Sequence, residues 1–177
     1  MNETRKERLA VGSSPSSDPE IGGLLWMLED GRRLTMEVLA DVPDHALGWQ
    51  PAPGENSIGT LLYHIAAVEA DWLYVEVLQQ PSFPAEIAAL FPRDMRDEHH
   101  RLSVSDETTL GAHLARLDAV RRALLDAFRG MSLDDFRRER SLPDYHVTPE
   151  WVLHHLIQHE AEHRGEIGLL RVLHSAA

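Results

Sequence analysis

His159 and His163 stand one helical turn apart in the segment His159-Glu160-Ala161-Glu162-His163, at positions where a helix bundle would normally carry Leu. Side chains four residues apart on a helix lie on the same face, so this spacing aims both imidazoles at one point and makes divalent-metal binding the leading chemistry. His64 has Leu61 three residues before it and Val68 four after it. It therefore faces inward near the middle of its own apolar stripe. Three inward histidines on two helices would form a facial three-nitrogen site with positions left open for water or substrate. Left unpartnered, such buried imidazoles would cost on the order of a few kcal/mol, so something has to satisfy them.

His155 extends the stripe to His155, His159 and His163. With a rise of about 1.5 Å per residue the outer two lie roughly 12 Å apart, too far for both to reach one ion at bonds of about 2.1 Å. Only one adjacent pair can bind, and spacing alone does not choose between them. The same segment satisfies the H-E-x-x-H pattern, which would make Glu160 the general base of a metallopeptidase. That pattern needs a third ligand downstream. Glu166 is on the same helix, His174 lies about two turns beyond Ile167, and Leu169 and Glu166 occupy the longer motif's third His and Gly positions. The peptidase reading is therefore set aside.

The elements that must position these residues are helical. Periodic apolar positions predict a first helix over about 19–40 (Leu24, Leu25, Leu28, Leu34, Val38, Leu39) and a second after the Asn56-Ser57 cap (Ile58, Leu61, Ile65, Val68, Trp72, Val75), ending before Pro81. A third helix is expected over about 107–129, ending at Gly130, and a fourth from the Thr148-Pro149 start to about 174. No stretch shows sustained period-two alternation. The expected fold class is all-α, a four-helix bundle with a long connection over about 80–106 between helices 2 and 3, holding a short helical turn near 85–90. The domain reading is a flexible tail over 1–18 and one domain over 19–177.

Composition narrows the partners. The chain has 177 residues, no Cys and a formal charge of −12. That charge opposes the counterion release that dominates nucleic-acid affinity, and no Lys/Arg block offsets it. Neither a disulfide nor a thiol nucleophile is available within the chain, so any thiol must arrive as substrate. No apolar run approaches membrane-span length, and the Ser-rich stretch after Arg8 does not read as a leader, so a cytoplasmic protein is expected. His99 and His100 sit among charges and should be exposed; His45, His113, His146, His154 and His174 are read as surface or locally bonded residues, and the four tryptophans as packing or dimer contacts.

Ser57-Ile58-Gly59-Thr60-Leu61-Leu62-Tyr63-His64-Ile65 with Glu69, and His155-Leu156-Ile157-Gln158-His159-Glu160-Ala161-Glu162-His163-Arg164-Gly165-Glu166-Ile167, resemble the DinB-like/YfiT-like metalloenzyme superfamily over roughly 20–174. Glu166 stands where Gln is common. The resemblance implies a four-helix bundle with His64, His159 and His163 as ligands of one divalent ion (Zn, Ni, Fe or Mn), which selects the lower histidine pair. It further implies transfer of low-molecular-weight thiols, or thiol-dependent isomerisation, and frequent homodimers.

The expected function is a metal-dependent enzyme acting on a small molecule, by thiol S-transfer or by hydrolysis through metal-bound water with a pKa lowered towards about 7. Glu69 and Glu160 are candidate proton acceptors or partners for ligand N–H groups, and His155 a cavity residue one turn above the ion. The alternative is a non-catalytic dimeric module that binds metal or ligand as a stress or sensor protein. An exposed apolar strip on the first and third helices would favour the dimer.

Overall fold

The computed structural model describes residues 10–177, and the part of the expected tail before residue 10 lies outside the described residues. Among the described residues there are six α-helices, a 3-10 turn at Asp44–Ala46, a π-helical turn and one hairpin of two two-residue strands. Helix α1, Pro19–Leu39, starts with Pro at its first position, and Asp18 Oδ1 accepts from Glu20 N at 2.8 Å. Both features satisfy or remove amide donors that the first turn would leave orphaned. Helix α2, Ile58–Asp71, is capped by Ser57 as its sequence requires. Nearly all of it is buried, which makes it the central element.

Helix α2 does not run on as a regular helix to Pro81. It passes into a π-helical turn, Trp72–Val77, in which Leu78 N donates to Leu73 O at 2.9 Å, one residue further back than an α-helix allows. The extra residue rotates the inward face. Leu73, Tyr74 and Val77 are buried there, while Trp72 and Val75, expected on the core stripe, are only half-buried.

The long connection carries the short helix α3, Ala85–Ala88. It is fastened to α2 through Tyr63, whose hydroxyl donates to Arg93 O at 2.6 Å and accepts from Arg93 N at 3.2 Å. Phe91 packs edge-on against the same ring. His99 and His100 are exposed, as expected. Helix α4, Leu110–Arg129, starts three residues later than the apolar pattern suggested, because Thr109 supplies the cap to Ala112 N. His113 is buried on α4, against the reading of a surface residue: Gly59 of α2 carries no Cβ, and a Cβ there would come within 3.2 Å of the imidazole Nε2.

After α4 come a five-residue helix, α5 (Leu133–Arg137, capped by Ser132), and a hairpin of β1 (Arg140–Ser141) and β2 (His146–Val147). Neither is long enough to display a period. Helix α6, Pro149–Ser175, closes the bundle. It packs chiefly on α1 and also on α2, while α2 packs on α4. Upstream of α1, Ser14 N donates to Gly22 O and Ser17 N to Arg129 O, so this part of the chain lies against the bundle.

Two apolar clusters form the core. One holds Leu25, Leu28, Leu124, Phe128, Val152 and Leu156; the other holds Leu39, Leu61, Leu117, Ile167 and Leu170. Between them the four long helices contribute polar residues instead: Arg32 of α1, His64 and Glu69 of α2, Arg121 of α4, and His159, Glu160 and His163 of α6. Large exposed apolar side chains do not gather on α1 and α4, where only Met27 qualifies among the described residues; they gather at the end of α6 as Leu169, Val172 and Leu173. No helix among the described residues is long and apolar enough to cross a membrane.

Candidate metal centre

His64 projects from the buried middle of α2, opposite His159 and His163 on α6. The Nε2 atoms of His64 and His159 lie 3.1 Å apart, as do those of His159 and His163. All three ligand atoms fall within 4.8 Å of one another, close enough to bind one metal ion. His64 is buried, and the His163 side chain keeps 13% of its surface exposed, so the site is closed on the α2 side and reachable along α6.

The electrostatics favour nitrogen lone pairs over protons. Burial pushes the His64 pKa down to about 4, helped by repulsion from His163 and Arg96. Burial, followed by repulsion from His163, His64 and His155, pushes His159 down to about 3. Both rings are therefore neutral at pH 7. Three Nε2 atoms meeting in one place cannot all be satisfied by each other: a hydrogen bond between two of them uses one donor and one acceptor, and the third faces a lone pair or a proton of like kind.

A cation would resolve this conflict. Two nitrogens each about 2.1 Å from one ion lie ~3.0 to 3.4 Å apart for bond angles between square and tetrahedral. The observed 3.1 Å separations fall in that range. Binding through Nε2 leaves the proton on Nδ1. The Nδ1 atoms of His64 and His163 are buried with no hydrogen-bond partner among the described residues, and Glu166 Oε1 stands 3.4 Å from that of His163. The usual carboxylate or carbonyl that orients a ligating imidazole is thus absent here for His64.

Glu69 and Glu160, candidates for that orienting role and for proton acceptance, are engaged elsewhere. Arg121 Nε donates to Glu69 Oε1 at 2.7 Å, and its Nη2 donates to Glu69 Oε2 and Glu160 Oε2 at 2.9 and 2.8 Å. Arg32 Nε donates to Glu160 Oε1 at 2.7 Å and its Nη2 to Glu69 Oε2 at 3.0 Å. Every carboxylate oxygen of the pair is taken by a guanidinium. Burial alone would raise the Glu160 pKa, but Arg32 and Arg121 outweigh it and hold the carboxyl below its usual range. A carboxylate so held is a weak proton acceptor. The two arginines were not singled out from the sequence. The signal was there: Arg32 continues the inward row Ile21, Leu25, Leu28, and Arg121 stands beside the Leu117 and Leu124 stripe.

His155 is not among the convergent ligand atoms. Its ring stacks on Trp151 at 5.1 Å with planes 8° apart, lies 4.7 Å from Trp72, and reaches the His159 ring at 5.7 Å. The choice that spacing left open falls to the lower pair, because α2 delivers His64 level with His159 and His163. His45 and His174 pack against one another, and Trp49 against His174. His146 meets the Ser141 hydroxyl at 3.1 Å.

No curated protein is matched by this chain. The family model of the DinB superfamily matches residues 27–167, a span that holds α2, α4 and all three histidines. The matched region thus spans all or most of each of the four long helices, with a histidine from the central one and an H-x-x-x-H pair from the last, and the chain belongs to the DinB superfamily.

Proposed function

We propose that His64, His159 and His163 hold one divalent ion, and that the protein uses it for group transfer from a low-molecular-weight thiol to a small electrophile. The observation that carries this reading is the meeting of three imidazole nitrogens, with His159 Nε2 lying 3.1 Å from Nε2 of both His64 and His163, reachable from one side. When bound, the ion would act as a Lewis acid that favours the thiolate of an incoming thiol, or hydroxide from water. A chain without Cys needs that thiol as a substrate, in keeping with the transferase chemistry. Hydrolysis is the same reading with water as nucleophile.

The chain's own residues do the rest. The α2 and α6 backbones fix the three imidazoles, and burial keeps His64 and His159 unprotonated at neutral pH. The His155 ring, stacked on Trp151 and packed against Trp72, borders His159 on the side toward the start of α6. The test begins with elemental analysis of purified protein beside His64→Ala and His159→Ala, followed by thiol consumption and ester hydrolysis with the metal-loaded chain. About one ion per chain, lost in both variants, with metal-dependent turnover is the expected result. Stoichiometric metal without turnover across thiols, electrophiles and esters would leave a binding module; no metal after incubation with Zn, Ni or Mn would remove the centre itself.

A further inference from the structure

A partly exposed aromatic grouping lies beyond the histidines, at the start of α6. Trp151 in the first turn of α6, Trp72 at the start of the π turn and Tyr145 in the hairpin loop sit side by side, with Trp72 5.2 Å from Trp151 and 6.2 Å from Tyr145. Together with Glu139, His146 and Val147 they border a cavity of about 540 Å³ that contains none of the three metal-site histidines. Trp151 and Tyr145 are both more than two-fifths exposed. Two large aromatic rings left open to water at one cavity mouth are an unsatisfied surface.

The one carboxylate or guanidinium group lining that cavity is acidic. Glu139 lines it, and no Arg or Lys does. Behind Tyr145, whose hydroxyl donates to Glu76 Oε1 at 2.8 Å, the second oxygen of the Glu76 carboxyl is buried without a partner among the described residues. Glu76 itself is only 5% exposed. Asp71 and Asp144 add to the field felt by Tyr145. Burial raises the pKa of both Glu76 and Asp71, the direction expected of carboxyls with no counter-charge at hand. Aromatic faces attract cations through their quadrupole, and carboxylates behind them deepen that attraction.

We propose that the Trp72–Tyr145–Trp151 cavity binds a small organic cation, of the methylated or quaternary ammonium class, with Glu76 and Glu139 supplying the compensating charge. A quaternary ammonium presents an apolar, weakly hydrated surface that suits three aromatic rings, and it needs no hydrogen-bond acceptor in the cavity. The site stands apart from the metal, since Trp151 lies ~12 Å along α6 from His159. It goes beyond the proposed function and does not depend on it.

The experiment compares choline with its neutral isostere 3,3-dimethylbutan-1-ol, by calorimetry and tryptophan fluorescence, on the full chain stripped of metal by chelation. Choline is expected to bind saturably and at least about tenfold more tightly than the alcohol, the size of one or two cation–π contacts. Trp151→Ala should abolish binding, whereas Trp151→Phe, which keeps an aromatic face, and Glu76→Gln should weaken it. Far-UV circular dichroism confirms that each variant is folded. Equal binding of the two probes would make the cavity a plain apolar slot and overturn the proposal, as would choline binding unchanged in Trp151→Ala or no saturable choline binding. Because the chelated chain is used, a failed metal centre leaves this result intact, and a failed cation site leaves the metal centre intact.

Discussion

One peptide bond separates His159 from Glu160, yet the two residues enter polar clusters of opposite character. Glu160 joins Glu69, Arg32 and Arg121 in a buried set of two cations and two anions, in which all four carboxylate oxygens are bonded and only Nη1 of Arg32 lacks a partner among the described residues. His159 joins His64 and His163, where the contacts are nitrogen against nitrogen and two Nδ1 atoms go unpartnered. The first cluster balances its charges and satisfies every carboxylate oxygen, so it joins α1, α2, α4 and α6 without calling for a further ion. The second brings three ring nitrogens together with no opposite charge among them, an arrangement that a cation from outside could complete. Buried polar residues thus mark function only where their bonding capacity is left over.

The sharpest way to break this comparison is to remove one member of the complete set. Arg121→Ala leaves two buried carboxylates with a single arginine and should destabilise the fold by about 3–5 kcal/mol in urea titration, metal or no metal. A loss below about 1 kcal/mol would mean that the cluster is not the structural joint described. The opposite pattern is expected of the histidines. His159→Ala should cost the metal-free protein about 1 kcal/mol or less while reducing metal affinity at least about 100-fold, read by isothermal titration with Zn.

Acid separates the two clusters next. The folded pKa of His64 and His159 is depressed to about 4 and about 3 from a free value of 6.5. The unfolded chain therefore takes up protons first, and metal-free stability, full above pH 6.5, should fall as pH drops through about 4 and towards about 3. The depressed Glu160 carboxyl shifts in the same sense, but from a free value of 4.5, so its loss begins only below that pH. Thermal unfolding of the chelated protein against pH should lose its upper segment in the His64→Ala/His159→Ala double variant and keep its lower one. A dependence unchanged in that variant would contradict the neutral, desolvated imidazoles. The smallest effect is expected at His155: His155→Phe preserves the stack on Trp151 and should leave metal stoichiometry as it is.

Much of the architecture was legible because it is periodic and capped. Ser57 and Thr148 serve as the helix caps that the sequence marked, and the α6 row Val152, Leu156, Ile167 and Leu170 is buried as its spacing requires. What escaped was local or combinatorial. The π turn at Trp72–Val77 leaves the apolar pattern almost unchanged while rotating it, and α5 with the β1–β2 hairpin is too short to show a period. His113 was misplaced because its burial depends on a glycine more than fifty residues away in α2.

The chain's own order of residues determined the helices, the inward stripe and the three histidines on it, because burial along one helix follows from spacing of three and four. It could not decide what each inward polar residue meets. Whether Glu160 would serve the histidines or the arginines depended on where α1 and α4 delivered Arg32 and Arg121 relative to α6. Whether His155 or His163 would complete the site depended on the level at which α2 presents His64. Those are relations between helices, set by how the two apolar clusters pack on either side of the polar layer, and only the tertiary structure decided them.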